Sequence, residues 1–138
     1  MKKLLIVTGS RNDIKYLDEA TKLLKKSKVK FEIEVISAHR DIKDLVKKIE
    51  PKNLEKRNIT TILAIAHSVS NLPAIIAGYL KDTPIIVVGV GLTKSNTDTT
   101  ASLLSVLSIP KGIPLVNAGV NEKGLYNAVL FCIKTLKA

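Results

Sequence analysis

The chain has 138 residues, 46% of them hydrophobic, enough for one packed core and too few for two ordinary domains, so a single domain over 1–138 is expected. A formal net charge of +10 fits nucleic acid, a membrane surface or a small anionic substrate. However, 19 of the 22 basic residues are lysines, mostly at helical spacing as in Lys22, Lys25 and Lys26 or Lys43, Lys47 and Lys48, the pattern of a solvated helix face. With aromatics at 4%, no Trp and no RNP-like strand, the sequence argues against an RNA-stacking surface.

The apolar run from Leu4 to Val7 is too short for a signal segment, and no stretch of about 18 apolar residues offers a membrane span. A cytoplasmic protein without a membrane partner is expected. The sole cysteine, Cys132, has no internal partner, which suits a reducing compartment. Its neighbours Leu130, Phe131 and Ile133 predict a buried thiol.

In chain order, Leu4 to Thr8 reads as a first strand and Asp13 to Lys26 as a helix. Phe31 to Ile36 follows as a second strand and Asp41 to Ile49 as a second helix, with Pro51 to Asn58 a polar connection. Ile62 to Ala66 is the third strand, Leu72 to Lys81 a helix, Ile85 to Val90 the fourth strand and Thr97 to Leu107 a helix. A short fifth strand at Leu115 to Val116 and a helix from Lys123 to Lys137 complete the pattern. Short apolar strands alternating with helices specify an α/β fold, a parallel sheet with crossover helices. Strands one, three and four are almost wholly apolar, as when both faces are covered. Strand two alternates Phe31, Ile33 and Val35 with Glu32 and Glu34, which places it at an edge. The expected architecture is a three-layer α/β/α sandwich with a flavodoxin-like sheet of about five strands, order 2-1-3-4-5.

Ligands of open α/β sheets bind beyond the carboxyl ends of the strands where the winding reverses, here between strands one and three. The turns meeting there are 9–13, 37–40 and 67–71. Both histidines of the chain, His39 and His67, fall in them, as do two of its three arginines, Arg11 and Arg40. Guanidinium groups, together with free backbone N–H groups at the Gly9–Ser10 turn, suit a phosphate. Ser10 and Asp13 serve equally as helix caps. His39, between Ser37 and Arg40, is the candidate for proton transfer, since a free imidazole titrates near pH ~6.5.

Other chemistries lack their parts. Two histidines without a nearby cysteine or a third acidic ligand argue against a metal site. No aspartate ends strand three, as a response regulator would require. GxGxxG, GxxxxGK[ST] and GxSxG are all absent.

These residues resemble the PurE family. Gly9-Ser10-Arg11-Asn12-Asp13 is similar to its GSxSD loop, and Ser37-Ala38-His39-Arg40 matches its SAHR motif outright. Leu72-Pro73 resembles HLPG, residues 83–90 resemble the TPVIGVP strand, residues 101–114 resemble DSLLSIVQMPxGVP, and Asn127-Ala128 resembles the closing NA dipeptide. The similarity runs in register over nearly the whole chain. It implies a purine-biosynthesis enzyme with no metal, biotin, ATP or other cofactor, acting on an aminoimidazole ribonucleotide. Two related reactions are implied: a mutase moving a carboxylate from N5 to C4, or a carboxylase using CO2 directly. The resemblance makes Ser10, Asp13, Ser37 and Arg40 the ribose-phosphate grip, with Gly9, Ala38, His67, Ser68, Asn71 and Leu72 completing the pocket and Arg11 a further phosphate contact. It makes His39 the group that manages the C4 proton. It also implies a homo-oligomer, commonly an octamer, although the sequence stops soon after helix five without the family's tail helix.

Residues 64–74 depart from the mutase loop AGAGGAAHLPG. His67 and Ser68 replace two glycines, and Asn71 replaces the loop histidine. The AGRSN loop of direct carboxylases does not match either, and Ala101 replaces an aspartate. A divergent nucleotide-binding relative without this activity therefore stands as a further expectation.

Overall fold

The computed structural model describes residues 1–67, 71–93 and 96–138, without the side chains of 96–98. In chain order it has β1 (Lys3–Thr8), a 3-10 segment (Arg11–Leu17), α1 (Asp18–Lys26), β2 (Lys30–Val35), α2 (Ile42–Lys48) and α3 (Pro51–Lys56). Then follow β3 (Ile59–His67), α4 (Asn71–Tyr79), β4 (Ile86–Leu92), α5 (Asn96–Leu107), β5 (Val116–Val120) and α6 (Asn121–Lys137). The five strands form one sheet in the order β2-β1-β3-β4-β5, with every pairing parallel. This is the flavodoxin-like arrangement expected from the sequence.

Each central strand feeds two cores because successive side chains point to opposite faces. Leu5, Val7, Ile62 and Ala64 pack with Leu45 of α2, Leu54 of α3 and Leu72 and Ile76 of α4. Leu4, Ile6, Leu63 and Ile65 pack with Leu17, with Ala20 and Leu24 of α1, and with Leu125, Val129 and Cys132 of α6. Cys132 is fully buried, and burial pushes its thiol up to about 12, so it packs as a small apolar residue. The lysines at 22, 25, 26, 43 and 47 are exposed, the solvated face their spacing predicts. Among the described residues, no helix is long and apolar enough to cross a membrane.

β2 is an edge strand. Its acidic face is clamped by Arg57, whose Nη2 donates to Glu32 Oε1 at 2.8 Å and to Glu34 Oε1 at 3.0 Å, while Ile33 stays exposed. The clamp uses up the third arginine and occupies the charges that alternation left on the edge.

Four elements differ from the sequence reading. β3 runs from Ile59 to His67 rather than from Ile62 to Ala66, so His67 closes the strand instead of opening the turn. The first helix begins as a 3-10 segment, and α1 starts only at Asp18. Ser10 caps the segment by accepting from Asn12 N at 3.2 Å. The stretch at Pro51 to Asn58, expected as a connection, contains α3, with Pro51 in its first turn and Leu54 as its one buried anchor. A single apolar residue gives no period to read, whereas proline is well suited to a helix start. β5 extends from Val116 to Val120 rather than covering Leu115 and Val116. Asn117 substitutes for poor strand formers by donating to Gly89 O at 2.9 Å and accepting from Gly119 N at 3.0 Å, across a shift of register between Gly89 and Gly91.

β5 passes into α6 through Gly119, whose φ of 124° belongs to the region that favours glycine. A Cβ on Gly124 would lie 2.2 Å from the carbonyl carbon of Gly119, and backbone cannot yield there as a flexible side chain would. Gly124→Ala should therefore push α6 off β5 and cost about 1–3 kcal/mol, measured as a lower urea midpoint with an unchanged slope.

Candidate active site

Register brings the site together. Thr8 at the end of β1 is level with Val35 at the end of β2 and with Ile65 of β3, and β3 runs two residues further, so that His67 at its end stands over the first two turns. Ile36 N donates to Thr8 O at 2.9 Å, and Gly9 N donates to Ile65 O at 3.1 Å. The following helices then diverge: α1 packs on one face and α4 on the other. Between them lies a cavity of about 180 Å3, lined by Gly9, Ser10, Asp13, Ser37, Ala38, His39, Ala66, His67, Asn71 and Leu72.

Nine residues singled out from the sequence thus share one cavity, and Ala66 joins them. Ser68 lies outside the described residues. Arg11 and Arg40 are exposed and do not line the cavity, and neither forms an ion pair among the described residues. They follow directly on Ser10 and His39 in sequence.

Each turn is shaped by its own sequence. In 37–40, Ser37 Oγ accepts from Arg40 N at 3.3 Å and Ser37 O accepts from Asp41 N at 2.9 Å. That closes a tight turn and leaves His39 exposed at its tip. A Cβ on Gly9 would meet nothing closer than Ala66 Cβ at 3.7 Å, an ordinary contact. Glycine at this position leaves cavity space rather than relieving a clash.

The 3-10 segment explains a contact the sequence did not disclose. At three residues per turn, positions i and i+3 eclipse, so Asp13 and Tyr16 face the same way. His67, near the end of β3, meets both. Its Nδ1–H donates to Asp13 Oδ1, and its ring lies 5.5 Å from that of Tyr16 at a tilt of 60°. Asp13 is only 1% exposed. Thr8 Oγ1, Asp13 Oδ2 and His67 Nε2 are also buried, with no hydrogen-bond partner among the described residues. The pairing of the segment with β3 was hidden because Asp13 reads equally well as a cap. The signal that could have found it is a second histidine at the carboxyl end of the neighbouring strand.

The two imidazoles differ in setting. His67 is tied to a buried carboxyl group, whereas His39 is exposed and its Nε2 lies 3.0 Å from Asn71 Nδ2 at the first residue of α4. A further cavity of about 460 Å3 opens beyond Tyr16, lined by Leu92, Thr93, Val120, Asn121, Glu122 and Lys123, and holds neither histidine.

A doubly wound parallel sheet with a polar, imidazole-bearing cavity at its switch point defines an open α/β protein with a candidate ligand site where such folds bind their ligands. Residues 3–138 match the family model described as AIR carboxylase. The chain is 34% identical over 136 residues to an N5-carboxyaminoimidazole ribonucleotide mutase of Saccharolobus solfataricus, covering 99% of this chain and 82% of that protein. It is 32% identical over 133 residues to a phosphoribosylaminoimidazole carboxylase of Saccharomyces cerevisiae, covering 96% of this chain and 22% of that longer protein. In structure it resembles Treponema denticola PurE, with a TM-score of 0.77 at 19% identity over 99% of this chain and 81% of that one. The chain belongs to the AIR carboxylase family.

Removing His67 would leave the Asp13 carboxyl group buried with neither oxygen partnered among the described residues. His67→Ala should therefore cost about 2–3 kcal/mol in urea unfolding. His39→Ala, at an exposed turn, should change stability by less than about 0.5 kcal/mol.

Proposed function

We propose that this chain is an N5-carboxyaminoimidazole ribonucleotide mutase of purine biosynthesis, transferring a carboxylate from N5 to C4 of the imidazole. The observation that carries this reading is the convergence of three turns, with His39, Ser10, Asp13, Ser37 and Asn71 around one cavity. The near full-length similarity to a mutase supports it.

The cavity volume is below the roughly 300 Å3 at which whole-ligand pockets begin. In this reading it takes the aminoimidazole and its carboxylate. The ribose reaches Ser10, Asp13 and Ser37, and the phosphate lies at the mouth, where Arg11 and Arg40 supply charge and the Gly9–Ser10 turn supplies backbone N–H groups.

His39 then carries one proton through two steps. As imidazolium it protonates N5 as the N5–carboxylate bond breaks, giving CO2 and a neutral amino group. C4, electron-rich through the enamine-like ring, attacks the retained CO2 and becomes tetrahedral. The now neutral His39 removes the C4 proton, the ring recovers its aromaticity, and the imidazolium is regenerated. No net proton is consumed and no redox partner is needed. An exposed imidazole on a tight turn has the freedom to serve both atoms.

We also read the protein as a homo-oligomer. On α5, Leu103, Leu104 and Leu107 are exposed at spacings that share one helix face, which suits contact between copies.

The test supplies purified chain with N5-carboxyaminoimidazole ribonucleotide, or with aminoimidazole ribonucleotide and bicarbonate, and follows the 4-carboxy product. Rapid turnover of the first alone is expected, with His39→Asn lowering kcat by at least about 100-fold while ligand binding persists. Comparable turnover with bicarbonate would replace the mutase by a direct carboxylase. Binding without turnover of either would leave a nucleotide-binding relative.

A further inference from the structure

We propose that Asn71 is a positioning residue for His39, holding the imidazole through a neutral amide that can partner it in both protonation states. The contact is the 3.0 Å approach of Asn71 Nδ2 to His39 Nε2, with both residues lining the same cavity.

The two residues rest on unlike supports. His39 sits on an exposed turn, held by the bonds that Ser37 Oγ and Ser37 O accept from Arg40 N and Asp41 N. Asn71 opens α4, which is anchored by the buried Leu72, Pro73 and Ile76. The packed helix therefore supplies the fixed point, and the bond aims the mobile ring.

The amide is suited to a proton carrier in a way a charged group is not. When Nε2 is bare, the Asn71 NH2 donates to it, which places the remaining ring proton on Nδ1. When Nε2 carries a proton, rotation of the amide by half a turn presents its carbonyl oxygen as acceptor, and in that imidazolium Nδ1 is the nitrogen left free to give its proton to the substrate and take one back. The partner is satisfied in either state and favours neither by charge. The other ionisable groups lining the cavity come from other elements, Asp13 from the 3-10 segment and His67 from β3. Asn71 is the neutral member of the set. The role in turnover rests on the mutase reading, whereas the bond does not.

With only two histidines in the chain, 15N imidazole spectra give two ring systems, and His39→Asn assigns them. In the unmodified chain at alkaline pH, neutral His39 should show the Nδ1–H tautomer. In Asn71→Leu that preference should be lost while the His67 signals stay in place, reporting an intact fold. Kinetically, Asn71→Leu should lower kcat about tenfold with KM within about twofold, and Asn71→His, whose ring also donates or accepts, should restore kcat to within about threefold. An unchanged His39 tautomer in Asn71→Leu, or a loss confined to KM, would overturn the proposal. Absence of turnover in the unmodified chain would remove the mutase reading instead, and the tautomer comparison would still decide whether the bond orients His39.

Discussion

The site depends on one topological constraint: β1 has β2 on one side and β3 on the other, so the connections that leave these strands pack on opposite faces of the sheet. A right-handed crossover toward β2 carries α1 to one face, and the crossover from β3 carries α4 to the other. Nothing helical can then cover the end of β1 at Thr8 and Gly9. β1 and β2 end level while β3 overshoots them by two residues to His67, which brings that imidazole over the gap and makes it a shared cavity rather than three separate loops.

Within the gap the two histidines divide along physical lines. His67 is mostly structural: its Nδ1–H holds Asp13 Oδ1 inside the protein and its ring packs on Tyr16, stitching the 3-10 segment to β3. His39 carries little packing and stands exposed beside a neutral amide. A group that must gain and lose a proton is better placed where solvent and a rotatable partner accept either state than against a buried carboxyl group. At position 67, where the mutase motif has glycine, the end of β3 thus adds a side-chain pair with Asp13 to the cavity wall.

Most of the fold was legible because its signals are local. Continuous apolar runs marked β1, β3 and β4, and the Glu32 and Glu34 alternation marked the edge. α3 was missed because six residues with one buried leucine carry no periodicity, and β5 was cut short because Asn117 and Gly119 are held by side-chain and backbone bonds rather than by strand propensity. At the site, the switch-point rule and the SAHR motif located the lining residues. The Asp13 pairing was hidden because an inward-facing carboxyl group and a cap have the same sequence. Arg11 and Arg40, expected from the sequence to contact phosphate, do not line the cavity, since a side chain's direction at an exposed turn has no sequence signature.

The central claim is that one phosphorylated aminoimidazole occupies the cavity above β1. Titrating isotopically labelled chain with aminoimidazole ribonucleotide and following its amide and imidazole resonances tests that claim most directly. The account predicts that both histidine rings shift together with the Gly9, Ser10 and Ser37 amides along one saturable curve, and that the phosphate-free nucleoside binds far more weakly. Shifts gathered instead around Thr93, Asn121 and Glu122, with the two imidazoles unmoved, would contradict it.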